Sequence, residues 1–156
     1  MTGVQTCALP ILTDIAAAIG LVELERYNDD TLPKRKKIAQ RYLELLSNSR
    51  FEKPIFKTNQ KESSYHLFPL RIKDCNETQR DEIIRKVTLA DVSVNVHFIP
   101  VPMMSYYKKL GFSMEKYPVA YSNYSREISL PVFYDLSIEQ CETIVSVLNS
   151  AVQATP

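Results

Sequence analysis

Between Ile15 and Val22 the chain reads Ile-Ala-Ala-Ala-Ile-Gly-Leu-Val, without a polar side chain. In a helix predicted over residues 13–28, this run sets Ile15, Ala16, Ala17, Ala18, Ile19, Leu21 and Val22 on nearly every side. A surface helix carries one apolar stripe, and a helix apolar all round is a buried one. Gly20 within it costs about 1 kcal/mol relative to alanine, which suggests a neighbour packed close to the backbone. With 156 residues the chain has the length of one domain. Its outermost helix then has too little around it to bury against.

Asp29, Asp30 and Thr31 are cap candidates for a second helix, with Pro33 in its first turn and an end near Asn48. Ile38, Ala39, Tyr42, Leu45 and Leu46 recur at three- and four-residue steps and form its core face. Residues 49–63 are polar and predict a loop. Tyr65 to Ile72 predicts a strand with His66, Phe68, Leu70 and Ile72 on one face, where His66 is expected as a structural histidine. Pro69 cannot donate to a ladder, so the strand must be an edge or Pro69 must face outward.

Asn76 with Gln79, and Ser137 with Gln140, are capping boxes for two further helices. Ile83, Ile84 and Val87 form the core side of the first. Ile138, Cys141, Ile144, Val145, Leu148 and Val152 form that of the second, where Cys141 is expected as a buried, inert thiol. Val92, Val94 and Val96 alternate with Ser93, Asn95 and His97, the pattern of a half-buried strand. Short helices near 103–110 and 118–126 precede a brief third strand at Ile128–Leu130. The result is an α/β fold, an α+β sandwich with a short, mainly antiparallel sheet and helices packed on it. A right-handed crossover between the first two strands leaves the third to insert antiparallel between them.

Lys+Arg 19 against Asp+Glu 18 gives no electrostatic reason to expect nucleic acid or an anionic membrane. Lys34-Arg35-Lys36-Lys37 is accordingly read as a solvated helix face. No window approaches the ~18 apolar residues of a membrane span. The sparse cysteines make no disulfide scaffold, and a cytoplasmic location is expected. Two histidines cannot found a zinc site, and three glycines leave none for a phosphate loop.

Several short blocks recur in a fixed order: Thr13-Asp14-Ile15-Ala16-Ala17-Ala18-Ile19-Gly20-Leu21, Ser64-Tyr65-His66-Leu67-Phe68, His97-Phe98-Ile99-Pro100, Tyr106-Tyr107 with Gly111, Tyr117-Pro118-Val119-Ala120 and Ile128-Ser129-Leu130-Pro131. Over about residues 13–150 this order resembles the C-terminal part of the DegT/DnrJ/StrS aminotransferases. That family uses pyridoxal phosphate (PLP) to place an amino group on keto sugars carried by a nucleotide. The resemblance implies the small C-terminal domain of a fold-type-I PLP-dependent transferase over residues 13–152, with the large PLP-binding domain missing.

Residues 1–11, Met1 to Ile11, resemble the translation of a short-read sequencing adapter. Residues 1–12 are therefore expected to stand outside the fold, and Cys7 to carry no chemistry.

In the family the Schiff-base lysine, the carboxylate at the pyridine nitrogen and the phosphate donors lie in the large domain. An Asn-x-Arg segment before the Thr-Asp-Ile helix reaches the partner subunit's cofactor phosphate, and here the adapter-like residues stand in its place. No catalytic, cofactor-binding or metal residue is therefore assigned, and the chain alone is expected to bind no cofactor and to be inactive. By resemblance His97, Phe98 and Pro100 line the substrate cleft. His97 has an imidazole able to hydrogen-bond sugar or phosphate oxygens. Phe98 stands where tyrosine is common, and Pro102 where many members carry a second histidine. Tyr106 and Tyr107 are open to two readings, cleft entrance or core packing. The complete enzyme is expected to be a homodimer that takes a nucleotide sugar and an amino-acid donor for cell-surface polysaccharide or amino-sugar synthesis. A PLP-dependent sugar dehydratase of the same family and a free-standing ferredoxin-like ligand-binding module are the alternatives.

Overall fold

Thr13 starts the first helix, its side chain accepting the N–H of Ala16 at 3.2 Å. The structure, a computed structural model, describes residues 13–155. The expectation for residues 1–12 lies outside the described residues. Helix α1 (Asp14–Arg26) has no buried residue. Ile15 is 77% and Leu24 70% exposed, so the apolar run faces water.

No break follows α1. The chain continues through a π turn (Tyr27–Thr31) into α2 (Leu32–Leu45), with Leu32 N–H bonding back to the Tyr27 carbonyl. The expected cap at 29–31 is thus absent. A capping residue has extended backbone, whereas Thr31 has helical φ −65 and ψ −46 and caps with no side-chain bond. Widening the turn also accommodates Pro33, which has no N–H for a regular helical ladder. Tyr134 secures the turn from outside: its hydroxyl donates to Asp30 Oδ2 at 2.7 Å, and its ring lies 3.3 Å beneath Lys34 Nζ.

Helix α2 lays Ile38, Ala39, Tyr42 and the following Leu46 against the core. Burial pushes the Tyr42 phenol above its ordinary range, which keeps it a donor, and it bonds the Pro131 carbonyl at 3.0 Å.

The stretch expected as a loop contains a strand, β1 (Phe51–Glu52), paired antiparallel with β2 (Phe68–Ile72). Two residues are too few to show a period, and Lys73 N–H to Arg50 O at 2.8 Å extends the ladder beyond them. Strand β2 begins later than predicted because Tyr65 takes a left-handed φ of 54. That shift ends the alternation, so His66 is exposed and not part of the core. Pro69 sits in the central strand of three. Ile72 N–H points to β3, bonding Arg126 O, so by alternation the missing donor of Pro69 points the other way, past the end of β1.

Strand β3 (Glu127–Leu130) pairs antiparallel with β2 from Phe68↔Leu130 to Arg71↔Glu127. The predicted strand at 92–96 is reduced to one antiparallel bridge, Asn95↔Ser129. Two local bonds explain the loss. Val92 N–H turns back to Val87 O, and Val96 N–H is taken by the Asn95 side chain at 2.8 Å. A side chain bonding its neighbour's backbone competes with ladder formation. Even so, β3 lies between β2 and this segment, which run parallel to each other, as the predicted topology requires.

Helix α3 (Glu77–Leu89) opens with the Asn76–Gln79 capping box and α6 (Ile138–Gln153) with the Ser137–Gln140 box. Together with α2 they enclose Phe68, Leu70, Ile72, Ile128 and Leu130 from the sheet. Cys141, fully buried, belongs to this core. The other sheet face is polar, since cross-strand partners share a face, and it carries Glu52, Arg71, Glu127 and Ser129.

Candidate substrate-cleft rim

Glu127 and Ser129 occupy the polar face of β3. Glu127 is 8% exposed. Its Oε1 accepts the Ser129 hydroxyl at 2.6 Å, and its Oε2 accepts the backbone N–H of His97 at 3.0 Å. Asn95 is held by the bridge to Ser129. The chain is thus tied to β3 at two points, residues 95 and 97, just before it leaves the sheet.

Beyond that tie His97 and Phe98 face solvent, Phe98 being 67% exposed. Pro100 is half-buried and starts a 3-10 turn (Val101–Met103), its carbonyl accepting Met103 N–H at 2.8 Å. The three residues named from the sequence therefore fall within four positions on one open turn. An apolar cleft of about 330 Å³ lies between Val92, Phe133, Leu136 and Ile144, and none of the three lines it. His66 lies beyond the Phe68 end of β2, whereas His97 is held at Glu127, which opposes Arg71 near the far end. The two histidines form no joint site.

The turn leads into α4 (Ser105–Lys109), where Tyr106 and Tyr107 meet edge to face at 5.5 Å and Tyr107 meets Phe112 at 5.9 Å. Tyr106 is exposed and Tyr107 half-buried, so neither enters the core. Gly111, at φ 84, takes the left-handed turn that ends α4. After a second 3-10 turn comes α5 (Pro118–Tyr124), fixed to α3 from below. Tyr121 and Tyr124 donate their hydroxyls to Glu77, and buried Arg80 bonds the Tyr124 carbonyl at 2.7 Å.

Glu52 receives Arg71 at 2.5 Å and Arg126 at 2.8 Å. Its burial raises the carboxyl pKa, but the two guanidinium groups outweigh that and hold it below the usual range. Sequence reasoning missed Glu127, Ser129 and Asn95. The visible signal was a carboxylate one residue upstream of an apolar strand, where a charge needs a partner.

The chain matches the DegT/DnrJ/EryC1/StrS aminotransferase family over residues 11–149. It therefore belongs to that family. It is 31% identical over 147 residues to the UDP-4-amino-4,6-dideoxy-N-acetyl-beta-L-altrosamine transaminase of Campylobacter jejuni, covering 91% of this chain and 37% of that protein. It is 28% identical to the spore coat polysaccharide biosynthesis protein SpsC of Bacillus subtilis, covering 90% of this chain and 36% of SpsC. Among solved structures, Spr1654 of Streptococcus pneumoniae, described as a sugar aminotransferase and determined in PLP, PMP and apo forms, is similar at a TM-score of 0.87 and 37% identity. That match covers 92% of this chain and 36% of Spr1654. The chain spans little more than a third of the relatives it matches.

PLP is the cofactor of the family. The residues described here do not fit it. A lysine that condenses with an aldehyde must reach its neutral form, usually through burial, and no described lysine is buried. Lys34, in contact with Tyr134 and Asp30, and Lys36, bonded to Glu62, are both held above the ordinary range. No step through the cofactor is assigned to this chain. Among the described residues no cluster of His, Cys, Asp and Glu could hold a metal ion, and no helix is long and apolar enough to cross a membrane.

Proposed function

We propose that residues 13–152 are the C-terminal domain of a cytoplasmic, homodimeric PLP-dependent aminotransferase. It transfers an amino group from an amino acid to a nucleotide-linked keto sugar, for cell-surface polysaccharide or amino-sugar synthesis. The observation that carries this is the family match over 11–149, joined to relatives about two and a half times as long. When bound, PLP supplies the electron sink for transamination. This chain contributes a rim: His97 presents an imidazole that can donate to or accept from sugar and phosphate oxygens, Phe98 an apolar ring, and Pro100 the turn behind them. The exposed apolar helix α1 supports the same reading, since a large domain and a second subunit would cover it. It argues against a free-standing module, which would leave it in water.

The test is recovery of the genomic DNA upstream of residue 12. A continuous reading frame with the family's Schiff-base lysine and the Asn-x-Arg segment is the expected result. The completed protein should then transaminate a nucleotide-linked keto sugar, and His97→Ala should raise KM for that sugar by about tenfold, the worth of one substrate hydrogen bond. A frame without the large domain, or a KM indifferent to His97, would overturn the proposal.

A further inference from the structure

We propose that Glu127 is a positioning residue, its carboxylate setting the turn that presents His97 and Phe98 to substrate; this rests on the cleft-rim reading above. Both oxygens of this nearly buried side chain go to neutral donors, His97 N–H and the Ser129 hydroxyl. Burying a carboxylate is costly unless it is well bonded, and a cation is its usual partner. Three arginines stand close and none of them bonds this carboxylate, although the buried Nε of Arg71 has no partner. Arg71, opposite Glu127 in the register, bonds Glu52 and Asn123. Arg126 bonds Glu52 and the Ser122 carbonyl. Arg80 approaches the backbone carbonyl of Glu127 rather than its carboxylate.

The sheet does not depend on this carboxylate, because β3 is joined to β2 through its backbone from Phe68↔Leu130 to Arg71↔Glu127. What the carboxylate adds is the tie to His97. Three successive residues are thereby fixed: Asn95 by Ser129, Val96 by the Asn95 side chain and His97 by Glu127. His97 is gripped through its backbone, which leaves its ring free to meet a ligand. Glu127→Gln retains shape and an acceptor for the His97 N–H; Glu127→Ala retains neither.

The link can be read in the 156-residue chain by NMR and amide exchange. A through-hydrogen-bond coupling should join the His97 amide nitrogen to the Glu127 carboxyl carbon. His97 exchange protection should fall about tenfold in Glu127→Ala and no more than about threefold in Glu127→Gln, with Phe68, Leu70 and Ile128 unchanged. A His97 amide indifferent to Glu127, or residues 97–100 unaltered by Glu127→Ala, would overturn the proposal. Should the alanine variant unfold, the wild-type coupling and the glutamine variant still decide. No substrate enters this experiment, so it can fail while the cleft reading stands; that reading fails separately, through KM of His97→Ala.

Discussion

The Tyr134 hydroxyl donates to Asp30 Oδ2 at 2.7 Å and joins the loop before α6 to the π turn after α1. Lys34 Nζ and Arg26 Cζ lie 3.3 and 4.5 Å from the centre of the same ring. One aromatic side chain thus serves the carboxylate and both cations at the root of an otherwise exposed helix.

Tyr134→Phe tests that anchor through pH. Asp30 is held below the ordinary carboxylate range first by the Tyr134 hydrogen bond, against some burial, and then by Lys34 and Arg26. A depressed folded pKa gives stabilisation that is complete above the unfolded value and lost as pH falls through the folded one. Removing the hydroxyl should raise the Asp30 midpoint and shift the loosening of the anchor to higher pH. Carboxyl-carbon NMR of Asp30, with exchange of the α1 amides, measures both. An unchanged midpoint would show that Tyr134 does not govern this carboxylate.

Phe68→Ala should remove a large part of the fold's stability. Phe68 is fully buried, with the Tyr42 ring at 5.1 Å and the Phe56 ring at 5.3 Å. Truncating a buried phenylalanine costs about 3–5 kcal/mol through lost transfer energy and the cavity left behind. Urea unfolding should show a lower midpoint at unchanged slope, the product of slope and midpoint shift giving a loss of that size. A loss below about 1 kcal/mol would mean that this face of β2 is not the core.

The elements legible in the sequence were those with long periods or paired signals. The stripe of α6 and both capping boxes are found where they were expected. So is the third strand between the other two chain segments. Hidden features were short or depended on distant partners. Phe51–Glu52 is too brief to show alternation, and the Asn95 side chain removes a strand that Val92, Val94 and Val96 seemed to require. His66 left the core because Tyr65 turned left-handed, a backbone choice that composition does not announce. At the rim, the sequence pointed to the residues that face outward, His97, Phe98 and Pro100. The carboxylate that holds them lies 30 residues away in the chain, and only the fold brings it there.

Addition of PLP to the purified chain should produce nonspecific lysine adducts alone. Lys34 and Lys36 are held protonated by their neighbours, the reverse of what imine formation needs. Absorbance titration followed by borohydride reduction and peptide mapping should find no saturable adduct at one lysine. A single, stoichiometric, reducible site with transaminase turnover would place the cofactor in this chain after all.

The first helix makes the strongest demand on the surroundings. Burying an isoleucine-sized side chain stabilises a protein by roughly 1.5–3 kcal/mol, and α1 buries none of its residues. Ile15, Ile19 and Val22 therefore contribute nothing of that kind to this chain while offering apolar surface to others. Replacing Ile15 and Ile19 with glutamine should cost the 64–150 fold little, within about 0.5 kcal/mol per exposed site. It should also reduce self-association. Sedimentation velocity should show the wild-type chain associating in a concentration-dependent way and the double variant shifted toward monomer, with unchanged thermal midpoints. Hydrogen exchange should find α1 amides weakly protected in both. A wild-type chain that is a compact monomer with α1 protected, or a double variant that unfolds, would show that the helix is already satisfied within these residues. The free-standing module would then be the better account of the chain.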